Sequence, residues 1–218
     1  MPAAFGLLLT LGSVPAQAST IWTNWTAATA GANGGGSASG TVNGIGVTYS
    51  GELDGAVLNG ISGIWAPNSS FIGGTVDTSP SSVNDDLRLN GSSTGVNTIT
   101  FATAVTNPVF AIWSLGAPGA QASFLFTITP TLEAGGPNSQ FGGASITING
   151  NTVNGNEGNG VVQFTGTFTS ISWTNSFENF YAFTVGENGG SAAVPEPASV
   201  VLIGSGLAGL IARRRARR

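Results

Sequence analysis

Alternating apolar and polar residues, interrupted by turns rich in glycine and asparagine, dominate this chain of 218 residues. From Ala122 to Thr129 every second side chain is apolar, which is typical of a strand with one buried face. Residues 109–115 are apolar on both faces and predict a central strand that is covered on both sides. No long segment follows the helical period of about 3.6 residues, so the pattern predicts a β protein.

The hairpin signal is clearest at residues 146–153, where Asn149 and Gly150 are predicted to take positive φ at both turn positions. Residues 26–40 and 186–193 are rich in small residues and are predicted to be flexible, the second as a linker. About ten short strands without helical crossovers predict an all-β fold at residues 19–185, a two-sheet antiparallel β-sandwich of jelly-roll type. The remaining strands are predicted near residues 20–26, 40–49, 61–65, 86–90, 95–101, 162–168 and 180–185.

The N-terminus is predicted to be a secretory signal peptide at residues 1–18. A short apolar run from Phe5 to Leu11 precedes the small residues Ala16 and Ala18, which mark a cleavage site before Ser19. No basic residue precedes the apolar run, so the natural start is expected to lie upstream of Met1.

The C-terminus has three parts, which together predict a single membrane helix. Val194, Pro195, Glu196 and Pro197 come first, and their prolines stop any helix from entering from upstream. Residues 198–212 are apolar or small and, as a helix, would measure roughly 22 Å, less than the ~30 Å of a bilayer core. Five arginines follow and are expected to stay cytoplasmic: Arg213, Arg214, Arg215, Arg217 and Arg218.

This three-part arrangement resembles the PEP-CTERM sorting signal, a segment also labelled ice-binding protein C-terminal domain; the resemblance is limited to residues 194–218. It implies a Gram-negative bacterium that makes extracellular polysaccharide, and processing by an exosortase. The resemblance further implies export, transient anchoring in the inner membrane with the domain in the periplasm, and delivery to the cell surface or the exopolysaccharide or biofilm matrix. An ordinary single-pass anchor is the alternative.

The composition excludes several kinds of chemistry. The chain has no His, Lys or Cys, so it cannot form a Ser-His-Asp triad, a Cys-His pair, a zinc site of His and Cys, or a lysine-bearing phosphate loop. Between residues 19 and 194 there are nine acidic residues and one base, Arg88, for a net charge near −8 (nine minus one). Nucleic acid is therefore not expected as a partner, because phosphate binding needs a basic surface.

Three features remain as candidate sites. Asp85 and Asp86 could ligate Ca²⁺, although pairing of a neighbouring acid with Arg88 is favoured; no other cofactor is expected. Residues 149–160 are rich in oxygen ligands, but a plain turn and loop is favoured. Trp22 and Trp25 are expected to be exposed and could stack on sugars, whereas Trp113 and Trp173 are expected to be buried.

Ice binding is not favoured, because the Thr-x-Thr segments at residues 98–100, 127–129 and 165–169 do not recur at a fixed spacing. The sequence thus predicts a secreted, exosortase-processed surface or matrix protein without enzymatic activity. A carbohydrate-binding module of the extracellular matrix is the first alternative. A glycosidase that uses two carboxylates is the second, and it would need two carboxyl groups facing each other across a cleft.

Overall fold

The computed structural model describes residues 19–31, 34–58, 63–80, 86–93 and 95–189, which form two eight-stranded sheets and one short 3₁₀ turn at Asn68–Ser70. Sheet A comprises β1 (Thr20–Trp22), β5 (Gly55–Val57), β6 (Asp86–Leu89), β8 (Pro108–Leu115), β10 (Thr131–Gly135), β11 (Ala144–Ser145), β14 (Gly158–Gln163) and β16 (Tyr181–Asn188). Sheet B comprises β2 (Asn24–Ala30), β3 (Gly35–Val42), β4 (Ile45–Glu52), β7 (Asn97–Thr106), β9 (Ala122–Phe126), β12 (Thr147–Asn149), β13 (Thr152–Gly155) and β15 (Thr167–Asn175).

The strand order of sheet A is β10-β14-β8-β16-β6-β5, with β1 on β16 and β11 on β14. The order of sheet B is β12-β13-β9-β15-β7-β4-β3-β2. All these pairings are antiparallel except that of the two-residue β11 with β14. The prediction of an all-β fold with two antiparallel sheets is therefore confirmed.

The main core lies between the two sheets and is rich in aromatic rings. Phe110 of β8 is fully buried and lies at the centre of this cluster. Its ring centroid is 5.4 Å from that of Trp173 in β15 and 5.5 Å from that of Phe126 in β9, both in edge-to-face geometry. Phe183 of β16 stacks on Phe110 with its ring centroid 6.1 Å away. Burial of these rings is the largest favourable contribution to packing the sheets together.

A second apolar cluster lies on the outer face of sheet A. Trp113, Ala111 and Val109 of β8 point into it, and residues 63–80 and the loop after β10 cover it. Every residue of β8 is buried, which confirms the prediction of a central strand covered on both faces. Sheet A is therefore enclosed on both sides.

The region predicted to be flexible at residues 26–40 is instead the β2–β3 hairpin, of which residues 32 and 33 lie outside the described part. The glycines there allow close contact: a Cβ on Gly40 would lie 2.2 Å from the carbonyl oxygen of Asn24 in β2. The strand predicted at 40–49 is also wrong, because the chain turns at Asn43 and Gly44 between β3 and β4. Their φ values of 48° and 76° are those of a tight hairpin turn.

Two other predicted elements have different limits. In the hairpin of β12 and β13 the loop is Gly150–Asn151, and within the pair Asn149–Gly150 positive φ occurs at Gly150 only. Residues 162–168 are not one strand, because β14 ends at Gln163 and β15 begins at Thr167. No strand occurs at 63–65, the described part of the strand predicted at 61–65; Ile64 and Trp65 instead pack into the outer cluster of sheet A.

The predicted linker at 186–193 begins too early, because Gly186, Glu187 and Asn188 belong to β16. Gly186 lies against β1, where a Cβ would be 2.7 Å from the carbonyl oxygen of Ile21. The signal peptide at 1–18 and the sorting signal at 194–218 lie outside the described residues, and so does the membrane helix expected at 198–212. Within the described ranges, no helix has the length and apolar character needed to cross a membrane.

Candidate functional site

The acidic residues at 85 and 86 were the main candidates for binding Ca²⁺. Asp86 is buried at the start of β6, and its Oδ1 accepts a 2.7 Å ion-paired hydrogen bond from Arg88 Nε. The Arg88 guanidinium also lies 5.4 Å from the ring centroid of Phe180. The favoured interpretation, an acid paired with Arg88, is confirmed for Asp86, while Asp85 lies outside the described residues. In the described part of the chain, no three acidic side chains come together as a metal site would need.

The oxygen-rich segment 149–160 is more ordered than a plain loop, and it contributes to a buried polar cluster. Ser114, at the end of β8, donates its hydroxyl to Glu157 Oε1 and its amide to Asn159 Oδ1 at 2.8 Å. Asn138 Nδ2 donates to the same Asn159 oxygen at 3.0 Å. Ser114 and Glu157 have φ values of 58° and 60°, which are unusual for residues other than glycine.

This Ser114 cluster, formed by Ser114, Asn138, Glu157 and Asn159, fixes the loop after β10 onto sheet A. Asn138 Oδ1 accepts amide hydrogen bonds from Gln140 at 2.8 Å and from Phe141 at 2.6 Å. Phe141 in turn lies against the ring of Trp113. The cluster therefore positions the loop that closes the outer apolar layer of sheet A.

Glu178 lies close enough to Glu157 for the two charges to interact. Burial raises the pKa of Glu178 to about 7, and the negative charge of Glu157 adds to the increase, while a 2.9 Å hydrogen bond from the Gly116 amide opposes it. Two carboxyl groups in unequal surroundings are what a glycosidase needs. However, Glu157 is only 6% exposed, and its carboxylate accepts hydrogen bonds from Ser114 and Asn138.

A third buried carboxylate, Glu52, lies at the end of β4. Its Oε1 accepts the Ser92 amide at 2.9 Å, and its Oε2 accepts Asn175 Nδ2 at 2.7 Å. Asn97 Oδ1 accepts the Glu52 amide at 2.8 Å and the Tyr49 hydroxyl at 2.7 Å. Burial, followed by the charge of Glu52, raises the pKa of Tyr49. This network connects three strands of sheet B and is a structural feature that the sequence analysis did not identify.

The tryptophans do not form a sugar-stacking platform. The expected exposure of Trp22 and Trp25 is wrong, because they are 9% and 0% exposed. Their indole N–H groups donate to the carbonyl oxygen of Thr78 and to the hydroxyl of Thr184, respectively. Trp113 and Trp173 are buried as predicted, and Trp65 is buried as well. The rings of all five tryptophans are therefore buried in the domain.

The outer face of sheet B is open and carries hydroxyl groups in two cross-strand rows. Each row runs across β2, β3, β4, β7 and β15, and every residue in it is the register partner of the next residue in the row. These ten residues, nine with a hydroxyl group and Ala27 without one, are called the hydroxyl face: the first row is Thr29, Ser37, Ser50, Thr98 and Ser172, and the second is Ala27, Ser39, Thr48, Thr100 and Ser170. All ten are exposed or partly exposed.

The hydroxyl face has regular spacing and no charge. Neighbouring strands are about 4.8 Å apart, and successive residues on one face of a strand are about 6.8 Å apart. Thr98 and Ser172 share a 2.9 Å hydrogen bond between their hydroxyl groups along the first row. Glu52 is the only charged residue within the strands of sheet B, and it is buried. The Thr-x-Thr segment at 98–100 thus joins a spatial repeat that its sequence spacing did not reveal.

Of the predicted processing residues, Ser19 alone is described, and it is exposed at the start of β1. Ala16, Ala18, the motif Val194–Pro197 and the arginines from 213 onward lie outside the described residues. A family model of the PEP-CTERM protein-sorting motif matches residues 193–218, which confirms the resemblance based on those residues. No curated protein and no solved structure matches the chain. The sorting motif indicates an exported chain that an exosortase-type enzyme processes.

Proposed function

We propose that this chain, which carries a PEP-CTERM sorting motif, is a non-enzymatic structural protein of the cell surface or extracellular matrix. The observation that supports this proposal is the order of the parts: an enclosed β-sandwich comes first, and the sorting motif follows it at residues 193–218. Residues 1–18 would direct export, the apolar segment 198–212 would hold the chain in the inner membrane, and cleavage near Pro195–Pro197 would release the sandwich.

The side-chain chemistry supports a non-enzymatic role. The chain has no His, Lys or Cys to act as a base or nucleophile. The buried carboxylates of Glu52, Asp86 and Glu157 each accept hydrogen bonds from protein side chains and stabilise the sandwich. A folded domain with uncharged hydroxyl groups on one face and few reactive groups suits a role in a hydrated matrix.

Fractionation of expressing cells tests the sorting step. The full chain is compared with a variant carrying Pro195→Ala and Glu196→Ala, and with the control Glu187→Gln upstream of the motif. The wild-type chain and the control are expected in the extracellular fraction, and the motif variant in the membrane fraction. Equal release of all three chains would contradict a role for the motif in sorting.

A carbohydrate-binding role is the second candidate, and the hydroxyl face is the observation that favours it. Its hydroxyl groups can exchange hydrogen bonds with sugar hydroxyls over five strands. Residues 19–194 have a net charge near −8 (nine acidic residues minus Arg88), which disfavours anionic polymers. The partner proposed for this face is therefore a neutral polysaccharide.

Co-sedimentation with insoluble neutral polysaccharides tests this second role. Thr48→Glu places a charged side chain in the middle of the hydroxyl face, where a neutral sugar would have to desolvate it, and Thr131→Glu, on the exposed edge strand β10 of sheet A, is the matched control. We expect at least about tenfold weaker binding for Thr48→Glu and unchanged binding for Thr131→Glu. Absence of wild-type binding to neutral polysaccharides, with or without Ca²⁺, would contradict the proposal.

A further inference from the structure

The start of β1 is held by a carboxylate on a neighbouring loop. The Thr20 amide donates a 2.8 Å hydrogen bond to Asp77 Oδ1, and the Ser19 hydroxyl donates to the same oxygen at 3.4 Å. The contact is reciprocal, because the Asp77 amide donates to Thr20 Oγ1 and the Thr78 hydroxyl donates to the Thr20 carbonyl oxygen at 2.7 Å. Residues 77 and 78 therefore fix the first residues of the described domain by hydrogen bonds.

Asp77 is negatively charged at neutral pH. The hydrogen bond from the Thr20 amide is the main reason that the pKa of Asp77 lies below its ordinary value. Arg88 is the only cationic side chain among the described residues, and it pairs with Asp86. Within the described part of the chain, no cationic side chain neutralises Asp77.

Removal of the signal peptide after Ala18 would create a positive charge at this position. The new α-amino group of Ser19 is one residue from the Thr20 amide that bonds Asp77, and consecutive α-carbons are about 3.8 Å apart. We propose that Asp77 is a binding site for the α-ammonium group of the mature chain itself. This inference rests on the proposed export and on cleavage before Ser19, and it adds a role for processing: cleavage completes an ion pair that fixes β1 to the sandwich.

The pairing has a defined pH range. Stabilisation by the ammonium group is complete below its unfolded pKa of about 7.7 and is lost as pH rises through the higher folded value. Stabilisation by Asp77 is present above its unfolded pKa of about 3.9 and is lost as pH falls through the lower folded value. Two more acids lie on neighbouring elements: Glu133 accepts the Thr75 amide, and Glu187 pairs with Ile21 in register while its carboxylate accepts from Asn43. The contribution of Asp77 must therefore be isolated by mutation.

The absence of lysine makes the measurement simple, because the α-amino group is the only amine in the chain. The full chain is purified after export, its first residue is identified by mass spectrometry, and the rate of acylation by an amine-reactive reagent is measured against pH. Asp77→Asn keeps the oxygen that accepts the Thr20 amide and removes only the charge. Asp54→Asn, at another exposed aspartate, is the matched control, and a chain with one alanine before Ser19 displaces the amine.

We expect a first residue of Ser19 and an α-amine pKa higher in the wild type and in Asp54→Asn than in Asp77→Asn by at least about 0.5 unit. This corresponds to roughly threefold slower acylation at neutral pH. The added alanine is expected to abolish the difference. Equal pKa values in the wild type and Asp77→Asn, or a first residue other than Ser19, would overturn the inference. Neither result bears on the C-terminal processing, which is determined separately on the same sample.

Discussion

Sheets A and B share the main core but differ in what lies on their outer faces. The outer face of sheet A is covered by a second apolar cluster that contains Trp65, Phe71 and Trp113. The outer face of sheet B carries small hydroxyl side chains and remains exposed. The sequence already differs accordingly, since β8 is apolar on both faces except for Ser114, whereas β7 alternates. Both sheets contribute to the main core, but sheet A is buried on two faces and sheet B on one.

The largest expected effect comes from comparing the two faces of one strand. Phe126 and Leu125 are neighbours in β9, but Phe126 is 2% exposed and Leu125 is 51% exposed. Phe126→Ala should lower the free energy of unfolding by about 3–5 kcal/mol, because it leaves a cavity beside Phe110 and Phe164. Leu125→Ala should change it by no more than about 0.5 kcal/mol. Urea denaturation measures both values, and similar losses would show that the outer face of sheet B is covered.

A smaller difference in stability is expected between alanine substitutions at two glycines in the strands of sheet B. Gly40 points into the sandwich, where a Cβ would lie 2.2 Å from the carbonyl oxygen of Asn24, whereas one on Gly46 would lie 3.5 Å from the Ala102 Cβ. Gly40→Ala should cost about 2 kcal/mol through backbone displacement. Gly46→Ala should be neutral or stabilise the fold by up to about 1 kcal/mol. Thermal unfolding of both variants checks this, and a neutral Gly40→Ala would contradict the close approach of β2 and β3.

The smallest effect is a pH dependence at Glu178, in the loop between β15 and β16. Because the pKa of Glu178 is raised to about 7, the folded protein binds more protons than the unfolded chain between about pH 4.5 and 7. Stability should therefore fall as pH rises through this range, by about 1 kcal/mol after allowance for solvent screening of this half-buried group. Glu178→Gln should remove that slope in urea denaturation at several pH values. If the slope is unchanged in the variant, the pH dependence comes from groups other than Glu178.

The sequence predicted the class of fold because β8 and β9 carry the two strand patterns clearly. The prediction failed where glycine could indicate either a flexible segment or a close contact between strands. Gly40 and Gly186 permit close contact between strands. The segments that contain them, 26–40 and 186–193, nevertheless have the composition of flexible segments. The asparagine–glycine pair at 43–44 forms the turn with two positive φ values, whereas the pair at 149–150, identical in sequence, does not.

The polar sites depend on strand register, which a single sequence does not supply. Ser114, Asn138, Glu157 and Asn159 come from three distant segments and meet only after β8 and β14 pair. The hydroxyl face likewise requires five strands in a particular order. The sorting motif, in contrast, can be recognised from the sequence alone, because its three parts are contiguous and each depends on local composition.

We propose that the sandwich is exported and then separated from its C-terminal segment. Mass spectrometry of the C-terminal peptide, recovered from the extracellular and membrane fractions of cells that make an exosortase, tests this proposal directly. The extracellular chain is expected to end at or near Pro195–Pro197. An intact Arg218 found only in the membrane fraction would contradict it and would make the C-terminal segment a permanent anchor.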